Sequence, residues 1–185
     1  MNATRKLKAV KIVAPVKIDL GAGRNKRDGF LGVDVRKFQG VDIVCDLGKD
    51  KWPWDNNSVD EAHSSHMIEH LTATQRIWFV NELYRVLAPG AKCTVVTPHW
   101  ASCRAYGDLT HQWPPVSEFW FYYLSREWRA VNAPHNDGYT CDFEAVWGYG
   151  MRPDLNARNT EYQQYAMANY KEAITDMHCT LTKKG

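Results

Sequence analysis

A chain of 185 residues with 44% hydrophobic residues and a formal net charge of +2 is long enough for one domain with a substantial core and needs no second one. The five cysteines, Cys45, Cys93, Cys103, Cys141 and Cys179, are odd in number and contain no Cys-x-x-Cys pair, which argues against a redox or zinc motif and for a reduced, cytoplasmic setting. No run is apolar enough to cross a bilayer, and the basic N-terminus lacks the apolar centre of a signal peptide, so no membrane partner is expected.

The charge is unevenly spread. Residues 1–37 hold ten Lys/Arg against three Asp, net +7, which leaves −5 for the rest of the +2 total. Such asymmetry can attract nucleic acid, but a solvated basic tail around Arg5, Lys6, Lys8 and Lys11 explains it as well, and support for a nucleic-acid partner is weak. Residues 1–15 read as a lead-in, with a short extra strand at Ala9 to Val13, and residues 16–185 as the domain.

Val16, Ile18 and Leu20 make a first strand, followed by Gly21-Ala22-Gly23, where the missing side chains allow a tight bend and close approach of a ligand to main-chain N–H groups. A second strand, Phe30 to Val35, carries Asp34 near its end, where a carboxylate at the C-terminal edge of a parallel sheet can accept both hydroxyls of a ribose. Together they suggest a nucleoside ligand. Only nine residues, Gly21 to Gly29, separate the two strands, fewer than the dozen or so a helical crossover takes, so the first crossover helix is expected to be missing.

Asp42 to Cys45 reads as a third strand ending at Asp46-Leu47. Asp46 can accept from an exocyclic amine while Leu47 packs on a base, or Asp46 can cap the next turn. Trp52 to Asp60 is turn chemistry leading into a fourth strand, Val59 to Ser65. Thr72-Ala73-Thr74-Gln75 has capping-box spacing, and Ile77, Val80, Leu83, Tyr84 and Leu87 follow helical intervals up to Pro89-Gly90. Lys92 to Thr97 is a β-branched fifth strand. Alternating strands and helices predict an α/β fold with a mostly parallel sheet.

Four segments, in order, resemble the class I S-adenosylmethionine (SAM)-dependent methyltransferases, in particular the small "type 11-like" group. They are Asp19-Leu20-Gly21-Ala22-Gly23, Gly32-Val33-Asp34, Trp52-Pro53-Trp54-Asp55-Asn56-Asn57-Ser58-Val59-Asp60, and Glu82-Leu83-Tyr84-Arg85-Val86-Leu87-Ala88-Pro89-Gly90. The resemblance implies a Rossmann-like single domain of seven strands, the last antiparallel, that uses SAM and releases S-adenosylhomocysteine. It implies that the stretch Asp19 to Gly23, with Leu20 and Ala22 inside it, holds the methionine part. Asp34 would take the ribose, and Asp46 and Leu47 the adenine. Ser65 and His66 would close the site beside the methyl. Asn25 stands where many members have a third glycine, and, since Asn tolerates left-handed backbone, it is expected to fill the same turn. Ala91 replaces the second glycine after Pro89.

His66-Met67-Ile68-Glu69-His70 also matches His-x-x-Glu-His, a zinc-hydrolase pattern in which two helical histidines bind metal and the glutamate activates water. Its third ligand is not singled out by the sequence, and no metal is assigned. The alternatives for His66 and His70 are capping or surface packing, and for Glu69 a salt bridge. A non-catalytic nucleoside-binding module is the other rival. The full Gly-x-Gly-x-x-Gly spacing of a nicotinamide dehydrogenase is absent.

Pro98 to Asn136 holds nine aromatics and three histidines and is expected to form the acceptor wall, since loops beyond the strand C-termini carry ligand sites in open parallel sheets. His111 can serve as a base with Asp108 orienting it, or simply bond within its loop. Glu118 to Arg129, capped by Ser117, reads as one helix. Thr140 to Tyr149 reads as a sixth strand, Met151 to Asn159 as a loop, Tyr162 to Asp176 as a helix, and Cys179 to Lys183 as an edge strand with lysines suited to an edge. The acceptor region spans 98–160, and a small-molecule or sugar-like acceptor suits a chain with no added recognition domain.

Overall fold

A computed structural model describes residues 15–185; the strand expected at Ala9 to Val13 lies outside the described residues. Lys17–Leu20 (β1), Leu31–Asp34 (β2), Ile43–Val44 (β3), Val59–Ser65 (β4), Leu87–Pro98 (β5), Phe143–Met151 (β6) and Ile174–Lys183 (β7) form one sheet in the order β3-β2-β1-β4-β5-β7-β6. The first five strands run parallel, and β7 is antiparallel to both β5 and β6. Ile18, Asp19 and Leu20 are buried in succession, the pattern of a parallel strand covered on both faces. Residues 21–30 pass from β1 to β2 through turns, without a crossover helix.

The helix Ala73–Val86 (α1) starts at Thr72, which closes a reciprocal capping box with Gln75. It buries Phe79, Val80, Leu83 and Val86 against the sheet. Trp52 packs edge-on against Phe79, its Nε1–H donating to Leu47 O at 3.3 Å. Glu82 Oε2 accepts from Trp52 N–H at 2.8 Å, and Arg85 donates to the carbonyls of Trp52 and Trp54. The Trp-Pro-Trp stretch is thus bolted to α1 and in turn sets the position of Leu47.

Several expectations change. The single helix Glu118 to Arg129 is two, Glu118–Tyr122 (α2) and Arg126–Asn132 (α3), because the Ser125 side chain accepts from Trp128 N–H and starts a new helix; Ser117 makes no side-chain cap. Pro153–Asn156 (α4) lies inside the expected loop, and the last helix, Thr160–Asn169 (α5), stops before Ile174, where β7 begins. β5 begins at Leu87, so Pro89-Gly90 falls inside the strand. β7 lies between β5 and β6 rather than at an edge. Lys183 is accordingly buried, its Nζ donating to Asn57 Oδ1 and to the carbonyls of Tyr84 and Leu87 at 2.6–2.8 Å.

Aromatic residues of α2 pack on β6, Phe121 stacking on Trp147 at 5.7 Å and Tyr122 meeting it edge-on at 5.3 Å, and Trp128 of α3 stacks on Tyr122 at 5.8 Å. Four of the five cysteines are buried and none is in a disulfide. Burial pushes Cys45 up to about 11 and Cys141 and Cys179 up to about 12, so these thiols stay protonated packing groups.

Candidate active site

The chain leaves β1 on one side to build β2 and β3 and returns to build β4 on the other, which opens a crevice beyond the strand C-termini. A cleft of about 570 Å³ lies there, walled by Gly21, Gly23, Asp34, Asp46, Leu47 and His66, together with Val35, Arg36, Phe38, Cys45, Met67, His70, Leu71 and Thr110. The first six are site residues expected from the sequence; of the others only His70 is singled out there, in the zinc-hydrolase pattern.

Gly21 and Gly23 both have positive φ, +77° and +54°. A Cβ on Gly21 would sit 2.2 Å from Met67 Cγ, whereas one on Gly23 would meet nothing within 4 Å. Gly21 is therefore glycine for packing, and Gly23 leaves open space beside the cleft. The expectation that loop N–H groups await a ligand is corrected. Gly21 and Ala22 N–H both donate to Val33 O at 2.9 and 3.0 Å, and Gly23 N–H donates to Asp34 Oδ2 at 3.0 Å. The loop offers a ligand bare backbone, not free donors.

Asp34 also accepts from Arg36 N–H at 2.9 Å, so each of its oxygens carries one backbone donor and keeps a lone pair for another. Asp46 caps the next turn, its Oδ1 accepting from Gly48 N–H at 3.0 Å, and the residue also lines the cleft beside buried Leu47.

Asp19 does not line the cleft. Its Oδ2 accepts from Arg27 N–H at 2.8 Å, and His63, its neighbour across β4, holds Oδ1 at 2.8 Å. Asp19 thus ties down the far end of the glycine loop. Leu20 and Ala22 are buried under that loop. Asn25 is exposed and does not have the left-handed backbone expected of it; that geometry falls on Gly21, Gly23 and Gly29. Ser65 is a ladder residue paired with Val96 and is not on the cleft wall.

His66 has φ +52°, a region costly for a side chain with a Cβ. Its imidazole reaches into a second cavity of about 430 Å³, also lined by Glu69, His70, Pro98, Cys103, Arg104, Gly107, Asp108 and His111. The two cavities share His66 and His70. Contact with the Glu69 carboxylate, 3.3 Å from Nδ1, holds the His66 pKa above its ordinary value. Of the segment 98–136 expected to form an acceptor wall, only Pro98, Cys103, Arg104, Gly107, Asp108 and His111 line this cavity, while Phe121 and Tyr122 of α2 pack on Trp147.

Asp108 does not orient His111. Its Oδ1 accepts from the Thr110 N–H and hydroxyl at 2.8 and 2.7 Å, which hold its carboxyl below the usual range. His111 Nδ1 lies 3.1 Å from Ala105 O instead. A carbonyl can only accept, so Nδ1 carries the proton and Nε2 presents a lone pair.

Arg76, buried on α1, brings these loops together. Its guanidinium donates to the carbonyls of Ile68, Gln112 and Pro114 at 3.0, 3.2 and 2.6 Å, so one side chain gathers the turn carrying Glu69 and His70 and the loop carrying His111. An arginine inside an amphipathic helix pattern gives no sequence signal of this role. The zinc-hydrolase pattern is also redrawn. His66 lies before the short 3-10 turn Ile68–His70, and the side chains that converge are Glu69, His70 and His111, without His66.

A parallel sheet with this strand order, an antiparallel seventh strand and a glycine-loop cleft at its switch point defines a Rossmann-like methyltransferase fold. The methyltransferase domain family matches residues 16–95. Similar solved structures include a SAM-dependent methyltransferase from Archaeoglobus fulgidus, with TM-score 0.67 and 14% identity over 91% of this chain and 86% of that one. Geranyl diphosphate C-methyltransferase from Streptomyces coelicolor A3(2), in complex with Mg2+, geranyl diphosphate and S-adenosylhomocysteine, has TM-score 0.58 and 13% identity over 92% and 73%. 1,6-Didemethyltoxoflavin-N1-methyltransferase from Burkholderia thailandensis, with bound 1,6-didemethyltoxoflavin and S-adenosylhomocysteine, has TM-score 0.54 and 14% identity over 92% and 72%. No curated protein sequence matches the chain. The family match covers residues 16–95, less than half of the chain, and the solved structures share its fold. Among the described residues no helix is long and apolar enough to cross a membrane.

Proposed function

We propose that the protein transfers a methyl group from SAM, held in the larger cleft, to a small-molecule acceptor held in the smaller cavity. The observation that carries this reading is the junction of the two cavities at His66 and His70, so that a donor in one meets an acceptor from the other. When bound, SAM supplies a methyl already made electrophilic by its sulfonium.

The residues fit such a ligand. Asp34 keeps lone pairs for the ribose hydroxyls, Leu47 offers an apolar face for the adenine with Asp46 beside it, and the bare backbone at Gly23 leaves room next to them. Asp34 and Asp46 against a single Arg36 leave the wall's charged side chains net negative, which favours a ligand with a net positive charge. On the acceptor side, His111 Nε2 is free to take a proton from an acceptor that must lose one, while Arg104, held by Asp176 at 2.8 Å, lines the same cavity. Holding the two reactants in line is the chain's main contribution.

A cavity of about 430 Å³ is of small-ligand size, and two structural neighbours are named for small acceptors, geranyl diphosphate and 1,6-didemethyltoxoflavin. Calorimetric titration with SAM and with S-adenosylhomocysteine tests the reading. Wild-type protein should bind both and Asp34→Ala neither. Folded wild-type protein that binds neither would overturn it.

A further inference from the structure

The second cavity contains a group of side chains that methyl transfer by positioning alone does not require. One ligand atom each from Glu69, His70 and His111 lie within 4.8 Å of one another. The two imidazole rings meet edge-to-face with centroids 4.6 Å apart.

Their protons are fixed from outside the group. The Thr110 hydroxyl donates to Asp108 Oδ1 at 2.7 Å, so toward His70 Nδ1, 3.0 Å away, it acts as an acceptor. Nδ1 of His70 therefore holds its proton, as Nδ1 of His111 does against Ala105 O. Each ring is left with an Nε2 lone pair. An outer hydrogen bond that fixes the tautomer and leaves the other nitrogen bare is the usual support of a metal-ligating histidine.

The third member is an independent sign. Glu69 is only 3% exposed, and while Thr97 donates to its Oε2 at 3.3 Å, its Oε1 has no hydrogen-bond partner. His66 Nδ1 stands 3.3 Å from that oxygen, at ion-pair distance but out of hydrogen-bond alignment. A protonated His66 offsets part of that charge, but the oxygen still lacks an aligned donor, a cost that a bound metal ion would remove.

We propose that Glu69, His70 and His111 bind a divalent cation of the zinc class. Two imidazoles and one carboxylate form a set that suits zinc with positions left open. Ligands about 2.0–2.1 Å from a tetrahedral ion stand about 3.4 Å apart, so the group contracts modestly from the 4.8 Å limit on loading. His70 lines both cavities, which puts the ion at their junction. Its open positions would take an oxygen of the acceptor, and this role, unlike the binding of the ion, rests on the methyl-transfer reading. In the loaded protein His111 is a ligand rather than the base, and a bound acceptor hydroxyl, made acidic by the cation, would give its proton to solvent water.

The test is titration of chelator-treated full-length protein with Zn2+ by calorimetry and with Co2+ by its visible spectrum. Wild-type protein should take one equivalent and show the intense bands of low-coordinate Co2+. His70→Ala and His111→Ala should each weaken binding by ~100-fold or more, since even outer-sphere changes cost about 10–100-fold. His178→Ala, on β7 and outside the group, should bind as wild type. A wild-type protein that binds neither ion, or His70→Ala and His111→Ala variants that bind as well as wild type, would overturn the proposal. SAM titration of the same samples reads the methyl-transfer proposal separately.

Discussion

Replacing Asp34 by Asn removes one charge and almost no volume, so its effect can be worked from hydrogen bonds. Asp34 accepts the Gly23 N–H at 3.0 Å through one oxygen and the Arg36 N–H at 2.9 Å through the other. An amide has a single oxygen, so one of these N–H groups would face an NH2 donor. A bond to a charged acceptor is worth about 1.5–3 kcal/mol, and the half-buried position puts the loss near the lower end, about 1–2 kcal/mol. In a domain of this size that lowers the melting temperature by roughly 3–6 °C. Affinity falls further, because the ribose hydroxyls lose a charged acceptor on top of the disturbed loop; a loss of about 1.5–3 kcal/mol is a ~10- to 150-fold rise in Kd. Thermal melting without ligand and calorimetry with S-adenosylhomocysteine measure the two effects separately. A melting temperature unchanged from wild type would refute the role of Asp34 in holding the loop. A Kd within threefold of wild type, with the melting shift present, would refute its role in the ligand site.

Other outcomes follow from the same geometry. Gly21→Ala should destabilise the protein by about 1–3 kcal/mol, from its +77° φ and a Cβ 2.2 Å from Met67 Cγ, and denaturant unfolding that matches wild type would contradict this. Arg76→Met should leave the carbonyls of Ile68, Gln112 and Pro114 without their donor; a loss of about 2–4 kcal/mol is expected, together with weaker Zn2+ binding as the two loops part. Glu118 should show in the acid limb of stability. Burial, the largest single influence, would raise its pKa, but the hydrogen bond with His99 at 2.9 Å, the Glu118 backbone N–H, the His99 charge and the Tyr149 hydroxyl together outweigh it and hold the carboxyl down at about 2. Its contribution, at most about 3 kcal/mol, is present above the unfolded carboxylate range and is lost as pH falls from about 4.5 toward 2. Urea unfolding at stepped pH should therefore show a steeper loss in wild type than in Glu118→Gln, and parallel curves would contradict the assignment.

What the sequence discloses here depends on how local the deciding contact is. Gly21, Gly23 and Asp34 are legible because strand end, bend and acid fall within nineteen residues, Val16 to Asp34, and the backbone alone relates them. The missing first crossover follows from a residue count. Asp108 misleads for the opposite reason: it stands three residues before His111, but its carboxylate turns back on Thr110, and the imidazole is set by Ala105 O. Lys183 shows the limit of alternation, which marks a strand without saying what lies beside it; carbonyls of Tyr84 and Leu87, far away in sequence, make it a buried strut. Ser125 splits a helix that the aromatic spacing runs together. The meeting of His70 with His111 depends on a loop folding back under an arginine from α1, and no local pattern encodes it.

The most direct measurement of the central claim is the crystal structure of the protein grown with S-adenosylhomocysteine. Its ribose hydroxyls should lie on Asp34, its adenine beside Asp46 and Leu47, and its sulfur should face the junction at His66 and His70. Density for the ligand anywhere else, or a cleft that stays empty at saturating concentration, would contradict it.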